Sequence, residues 1–333
     1  MARTRTGTIG VLGAGRMGRG IALSYIFGGV PVLLVDLKQR RSLSERQALE
    51  HSAREEMTAD LSFLAAMGLV GQDQIPQILQ LVTFSHREDP ENPLVKCDIV
   101  YEGVPEVMEA KEDAFRYVSA VVADHAIIAS TTSTFLVTDL AAYVKNPGRF
   151  MNAHWLNPAH LMPLVEISRS DDTDKDAVDR LINSLESVGK VPVVCSASPG
   201  YIVPRIQALA MNEAARLVEE GVASAEDVDK AINVGFGPRF AVLGLLEFID
   251  WGGGDILYYA SNYLSKSIGP RYEAPDIIKT NMESGRNGLR EGQGFFDYRD
   301  IDTNAYRQQR MKDFVSLLQY KNLLPSYSPY NSE

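Results

Sequence analysis

The stretch Thr8-Ile9-Gly10-Val11-Leu12-Gly13-Ala14-Gly15-Arg16-Met17-Gly18 decides how the rest of the chain is read. Thr8–Leu12 has the short β-branched pattern of a buried strand, and Met17–Gly28 behind it reads as a helix. Between them lies G-x-G-x-x-G. Gly13 allows a tight turn, Gly15 leaves backbone amides room to approach a pyrophosphate, and Gly18 lets helix and strand pack closely. The amides and dipole at the helix start attract an anion. Glycine-rich turns are common, so the context matters. A second strand, Val30–Val35, delivers Asp36, close to the spacing at which an acid binds a ribose 2′-hydroxyl. The alternative is an ordinary strand–helix turn and a helix-capping aspartate. An acid there repels a 2′-phosphate, so NAD is expected rather than NADP, with Lys38, Arg40 and Arg41 near enough to temper the choice.

Outward from this loop, strand-like runs and helical stretches alternate, the rhythm of a parallel sheet with crossover helices. Leu49, Ala53, Met57, Leu61 and Leu64 recur at helical spacing within 41–68, and with Ile75–Leu79 they suggest a helical hairpin inserted at about 41–80. Further strands are expected at Asp98–Tyr101, Ala126–Ala129, Arg149–His154, Leu164–Ser168 and Val191–Cys195, with helices over 106–124 and 173–188. Ser196-Ala197-Ser198-Pro199-Gly200 then reads as a boundary. Beyond it the pattern is helical: 201–221, 224–234, 239–267, 272–284 and 303–323. The expected architecture is an α/β domain over 1–198 and an all-helical domain over 199–333. Trp251-Gly252-Gly253-Gly254-Asp255 has no strand before it and reads as an interhelical turn rather than a phosphate loop.

The 333 residues, 45% hydrophobic, suffice for two cores. With 33 basic and 43 acidic side chains the net charge is −10, which argues against nucleic acid as a partner. Cys97 and Cys195 are too few and too far apart for a disulfide framework or a CxxC motif, and no histidine spacing suggests a metal. No uninterrupted apolar run approaches membrane-span length, and Met1–Gly7 carries two arginines without an apolar signal region. The expectation is a soluble cytoplasmic protein with no membrane partner.

Four ordered segments carry a resemblance to a known family: Gly13–Gly18; Ser130-Thr131-Thr132-Ser133; His154-Trp155-Leu156-Asn157-Pro158 with Pro163-Leu164-Val165-Glu166; and Pro199-Gly200-Tyr201-Ile202-Val203. Gly292-Gln293-Gly294-Phe295-Phe296 adds a fifth. From about Thr8 to Tyr298 the chain resembles the L-3-hydroxyacyl-CoA dehydrogenases. The resemblance implies a Rossmann-like NAD-binding domain with a helical C-terminal domain, and a homodimer formed through the latter. It also implies a His154–Glu166 pair with Ser133 binding the substrate oxygen. The chemistry is coherent on its own terms. His154 ends one expected strand and Glu166 lies in the next. Oxidising a secondary alcohol needs a base for the hydroxyl proton, and a carboxylate behind it fixes the imidazole tautomer. By the same resemblance Gly13, Gly15, Met17, Gly18 and Asp36 hold NAD, Glu102 and Lys111 contact its nicotinamide half, and Asn157 helps shape that pocket.

The chain departs from the family in three places. The motif Pro-Gly-Phe-Ile-Val-Asn-Arg has an asparagine where this chain has Pro204, which suits a helix start but cannot donate an amide. Members taking CoA thioesters use lysines and serines around the helical hairpin; here no lysine lies between Lys38 and Lys96, leaving Arg46 and Arg54 as substitutes. Gly235-Phe236-Gly237-Pro238-Arg239-Phe240-Ala241 is more similar to branches acting on small free acids. Arg239 either forks onto a substrate carboxylate or pairs within its own domain. His160, six residues after His154, is a candidate lining residue. The expected function is an NAD-dependent interconversion of a secondary alcohol of 3-hydroxy-acid type and its ketone, leaning to a small substrate without CoA. An ordinary 3-hydroxyacyl-CoA dehydrogenase is the alternative, and a non-catalytic crystallin-like or NAD-sensing role comes third.

Overall fold

In the computed structural model the chain is described over residues 7–324; residues 1–6, expected above to carry no signal region, lie outside the described residues. Two compact units divide at Leu209 and Ala210. That division falls inside a helix, Val203–Glu219, some ten residues beyond the Ser196–Gly200 turn. The reason is local bonding: Ile202 and Val203 both donate their amides to Glu166, which holds the helix start to the sheet of the first unit.

The first unit is built on an eight-stranded sheet in the order β3-β2-β1-β4-β5-β6-β7-β8. The strands are β1 Ile9–Leu12, β2 Val32–Asp36, β3 Val82–His86, β4 Ile99–Glu102, β5 Ile127–Ser130, β6 Phe150–Trp155, β7 Leu164–Arg169 and β8 Val191–Ser196. The central strands β1, β2, β4 and β5 are buried at every position, so their sequences are continuous apolar runs rather than alternating ones. Pairing is parallel except between β6 and β7. The short link 156–163 cannot hold a crossover helix, so the chain returns antiparallel. That return sets His154 directly opposite Glu166.

Helices α1 Arg16–Phe27, α2 Leu43–Ala66, α3 Ile75–Leu79, α4 Met108–Val121, α5 Val137–Ala141 and α6 Lys175–Ser187 complete the unit before α7 Val203–Glu219. The predicted stripe of α2 is present, with Ala53, Met57, Leu61 and Leu64 buried and Leu49 packed against the core. β3 and the single-turn helix α5 were not anticipated. β3 reads Val-Thr-Phe-Ser-His, with only Val82 and Ser85 buried, so it lacks the apolar run that marked the central strands.

The second unit is helical: α8 Ala225–Ala231, α9 Gly237–Val242, α10 Leu245–Gly252, α11 Gly254–Ser267, α12 Asp276–Glu283 and α13 Thr303–Tyr320. The helix expected over 239–267 is three, broken at Gly244 and at Gly253, whose φ of 108° suits glycine. Gly252–Gly254 is thus an interhelical turn. A π-turn, Ile232–Phe236, precedes α9, where Pro238 has no amide to continue the regular ladder. The glycine-aromatic segment wraps Asp250: its buried carboxylate accepts the amides of Phe295 and Phe296, both at 2.9 Å, and the Tyr298 hydroxyl. A Cβ on Gly294 would overlap that carboxylate, so the motif is a structural clasp. Among the described residues no single helix is long and apolar enough to cross a membrane. No cluster there of three or more His, Cys, Asp or Glu is arranged to hold a metal.

Candidate active site

The glycine loop leaves β1 and enters α1 with its three glycines used differently. Gly13 has φ 96° and its amide donates to Val35 O at 2.8 Å, tying the turn to β2. A Cβ on Gly18 would overlap the Gly13 carbonyl oxygen, so glycine there lets helix and loop touch. Around Gly15, the N-cap of α1, a Cβ would meet nothing within 4 Å. The space lies in a cleft of about 450 Å³ lined by Gly13, Gly15, Asp36, Lys38, Arg40 and Gly103 among others. Met17 is half-buried behind the loop and packs on the core. Asp36 is buried at the end of β2. Its carboxylate accepts the Lys38 amide at 3.2 Å and the Arg40 guanidinium at 2.5 Å, with His86 Nδ1 at 3.7 Å. An open helix N-terminus beside a buried acid fits a dinucleotide.

At the end of β4 the acids divide into two tasks. Lys111 is fully buried, and its ammonium lies within 3.1–3.2 Å of both Glu102 oxygens and 3.1 Å from Glu106. Glu102, equally buried, also accepts Ser130 Oγ and the Val104 amide. The pair expected at the nicotinamide therefore sits inside the fold, bracing the ends of β4 and β5. Glu106, which sequence reasoning missed, is the exposed acid of this cluster. It accepts the Thr132 hydroxyl and the amides of Ser133 and Thr134 at 3.2 and 3.1 Å. Although burial opposes its charge, the Thr132 hydroxyl and Lys111 hold its carboxyl below the usual range. Ser133 stands exposed on the loop so formed.

His154 and Glu166 meet as the β6–β7 register demands. Nδ1 lies 2.9 Å from Glu166 Oε2, while Glu166 Oε1 accepts the Ile202 and Val203 amides, each at 2.9 Å. Both side chains are nearly inaccessible. With Nδ1–H donated to the carboxylate, Nε2 keeps a lone pair. Pro204 follows the two donating amides at the start of α7, where its missing N–H has no intrahelical partner to lose. Tyr201 lies flat against the imidazole, ring centroids 4.9 Å apart and planes 6° from parallel.

The link between β6 and β7 carries Asn157, exposed, and His160, half-buried. Lys190 anchors this link by donating to Ala159 O at 2.6 Å and Met162 O at 3.0 Å, its ammonium 5.3 Å from the Trp155 ring centre. Burial brings that ammonium down to about 8. In the second unit Arg239 is exposed; Nε donates to Gly235 O and the guanidinium lies over Phe248. Arg46 and Arg54, the possible stand-ins for lysine, are engaged within the first unit. Arg46 pairs with Glu88 and Asp89, and Arg54 pairs with Glu50, donates to Leu79 O and Val82 O, and covers Phe84. Cys97 is buried, and burial pushes its thiol up to about 12; Cys195 is half-buried and also raised, so neither favours thiolate.

Comparison with known proteins agrees along the chain. Residues 8–198 match the family model described as 3-hydroxyacyl-CoA dehydrogenase, NAD binding domain, and residues 200–298 match the C-terminal domain of the same family. A 5-formyl-3-hydroxy-2-methylpyridine 4-carboxylate 5-dehydrogenase of Mesorhizobium japonicum is 28% identical over 93% of this chain and 96% of its own length. A 3-hydroxybutyryl-CoA dehydrogenase of Mycobacterium tuberculosis is 31% identical over 87% of this chain and 98% of its own. Among solved structures, a 3-hydroxyacyl-CoA dehydrogenase of Archaeoglobus fulgidus superposes with a TM-score of 0.76 at 32% identity, covering 96% of this chain and all of that one.

Proposed function

The chain belongs to the 3-hydroxyacyl-CoA dehydrogenase family and is an NAD-dependent dehydrogenase acting on a hydroxyl group; from that premise we propose that its substrate is a small 3-hydroxy acid without CoA. One observation carries the choice: the cations on the helical hairpin that would have to meet a CoA phosphate, Arg46 and Arg54, are engaged by Glu88, Asp89 and Glu50. Pro204 in place of the family asparagine supports a changed substrate contact. The Mesorhizobium relative, named for a pyridine carboxylate, supports a non-CoA substrate within the same fold.

In this proposal Gly13, Gly15, Met17, Gly18 and Asp36 hold NAD, with Asn157 at its nicotinamide pocket. Bound NAD supplies the hydride acceptor. His154 Nε2 takes the substrate hydroxyl proton, Glu166 holds Nδ1–H and stabilises the imidazolium, and Ser133 donates to the substrate oxygen. Glu102 and Lys111 serve the nicotinamide half from within, by fixing the β4 end and Glu106. Arg239 binds a substrate carboxylate through its terminal nitrogens, and His160 and Pro204 line the pocket. The functional unit is a cytoplasmic homodimer formed through the helical unit, which exposes Met211, Tyr259 and Tyr263 among its large apolar side chains.

Steady-state assays with 3-hydroxybutyryl-CoA against free 3-hydroxy acids, gulonate included, test the substrate. Efficient turnover of the thioester alone refutes the small-acid reading and leaves an ordinary 3-hydroxyacyl-CoA dehydrogenase, the activity named for the mycobacterial relative. His154→Ala that binds NAD and keeps full turnover refutes the base.

A further inference from the structure

Tyr201 occupies a costly position. Its φ is 47°, directly after Gly200 at 76°, and a left-handed backbone is disfavoured for a bulky L residue. Glycine or asparagine would satisfy that turn more cheaply, so the side chain has to contribute something in return. It is buried and makes three contacts. The ring stacks on His154. The hydroxyl donates to Thr132 O at 2.7 Å and accepts Asn152 Nδ2 at 3.0 Å. Asn152, two residues before His154 on β6, also donates to Phe135 O at 3.0 Å. Tyr201 and Asn152 therefore clamp the segment 132–135 from the β6 side, while Glu106 holds its hydroxyl and amides from the other. Ser133 lies between the two clamped carbonyls.

We propose that Tyr201 is a positioning residue whose hydroxyl sets the distance between the Ser133 loop and the His154 imidazole during hydride transfer. This rests on the reading of His154 and Ser133 given above. The family motif has phenylalanine where this chain has Tyr201, so the ring accounts for the stack and the hydroxyl is the added element. Burial pushes the phenol well above its usual range, which keeps it a protonated donor to Thr132 O. Without the hydroxyl, Thr132 O and one N–H of Asn152 lose their partner, Asn152 Oδ1 already being buried with none. The loop is then free to settle away from His154.

The test is Tyr201→Phe in the full chain, assayed with 3-hydroxybutyryl-CoA and with 3-hydroxybutyrate, beside His154→Ala. The ring and its stack survive in this variant. The expected result is a fall of about tenfold in kcat with whichever substrate is turned over, because small displacements of reacting groups are costly. The Kd for NADH, by fluorescence titration, stays within about twofold, and the primary isotope effect with substrate deuterated at C3 rises as hydride transfer becomes limiting. A merely structural hydroxyl would lower Tm and leave the isotope effect alone. Wild-type kcat and isotope effect in Tyr201→Phe overturn the proposal when His154→Ala is inactive. Activity in His154→Ala overturns the base assignment, and this inference with it.

Discussion

Changing Glu166 to glutamine tests the proposed chemistry with almost no change in shape. The two oxygens of Glu166 have different partners: Oε1 accepts two amides from the start of α7, and Oε2 faces His154 Nδ1. A glutamine must choose. With its carbonyl towards the two amides, its NH₂ points at Nδ1, which then has to accept, and the imidazole proton moves to Nε2. With the amide reversed, the tautomer is preserved but two buried N–H groups face another donor, at a cost of about 2–6 kcal/mol for the pair. The first arrangement wins, and it removes the base. The expected effect is a fall in kcat of about 10²–10⁴ at neutral pH, or roughly 3–5 kcal/mol in the barrier. NADH affinity and Tm should stay near wild type. Glu166→Ala behaves differently: it orphans both amides in an inaccessible site and should cost about 2–6 kcal/mol of stability. NADH absorbance, fluorescence titration and thermal denaturation on the same preparations separate the two cases. A Glu166→Gln enzyme keeping more than about a tenth of wild-type kcat would refute the argument that this carboxylate fixes the tautomer.

Gly15→Ala should raise the Kd for NADH about tenfold with little change in Tm, since its Cβ would enter the space left for the pyrophosphate, whereas Gly18→Ala should lower Tm because its Cβ overlaps Gly13 O; equal effects on both readouts would contradict the division. Asp36→Ser should improve kcat/KM with NADP relative to NAD by about tenfold or more, because it removes the repelling charge and frees Arg40 beside Lys38; an unchanged cofactor ratio argues that Asp36 does not face the ribose. Burial lowers the Lys190 ammonium from 10.5 to about 8, so between those values the unfolded chain binds a proton that the folded chain lacks, and stability rises with pH across that window. Lys190→Met should lose this contribution, read as a smaller gain in urea midpoint between about pH 8 and about pH 10 than wild type shows; parallel slopes would mean the ammonium is not desolvated.

Much of the fold is legible because its determinants are local. The glycine loop sits between strand and helix, the central strands are unbroken apolar runs, and the α2 stripe repeats every three or four residues. β3 was hidden because a strand at the sheet edge with two buried positions has no periodic signal. The span 239–267 was over-extended because its apolar residues keep helical spacing across breaks. Only the backbone at Gly244 and Gly253 shows where the helix stops.

The site divides along the same line. His154 and Glu166 were readable as partners because one antiparallel turn joins their strands. The division of work between Glu102 and Glu106 was not: one ends β4 and the other follows it, both within reach of Lys111, and only the packing shows that Glu102 braces the interior while Glu106 carries the Ser133 loop. Tyr201 escaped for a related reason, since its partners lie on β6 and on the loop after β5, and no spacing rule links them. A common device underlies these contacts. Glu102, Glu106, Glu166, Asp36 and Asp250 each accept main-chain amides: Val104; Ser133 and Thr134; Ile202 and Val203; Lys38; Phe295 and Phe296. A carboxylate accepts several donors at once, and a charge-assisted bond to an amide is roughly twice as strong as a neutral one. Part of the acidic complement therefore fixes main-chain segments: those beside the glycine cleft, Ser133 and His154 in the first unit, and the glycine-aromatic segment in the second. Amide substitutions at these acids should accordingly disturb one loop each, according to which main-chain donors the lost charge had held.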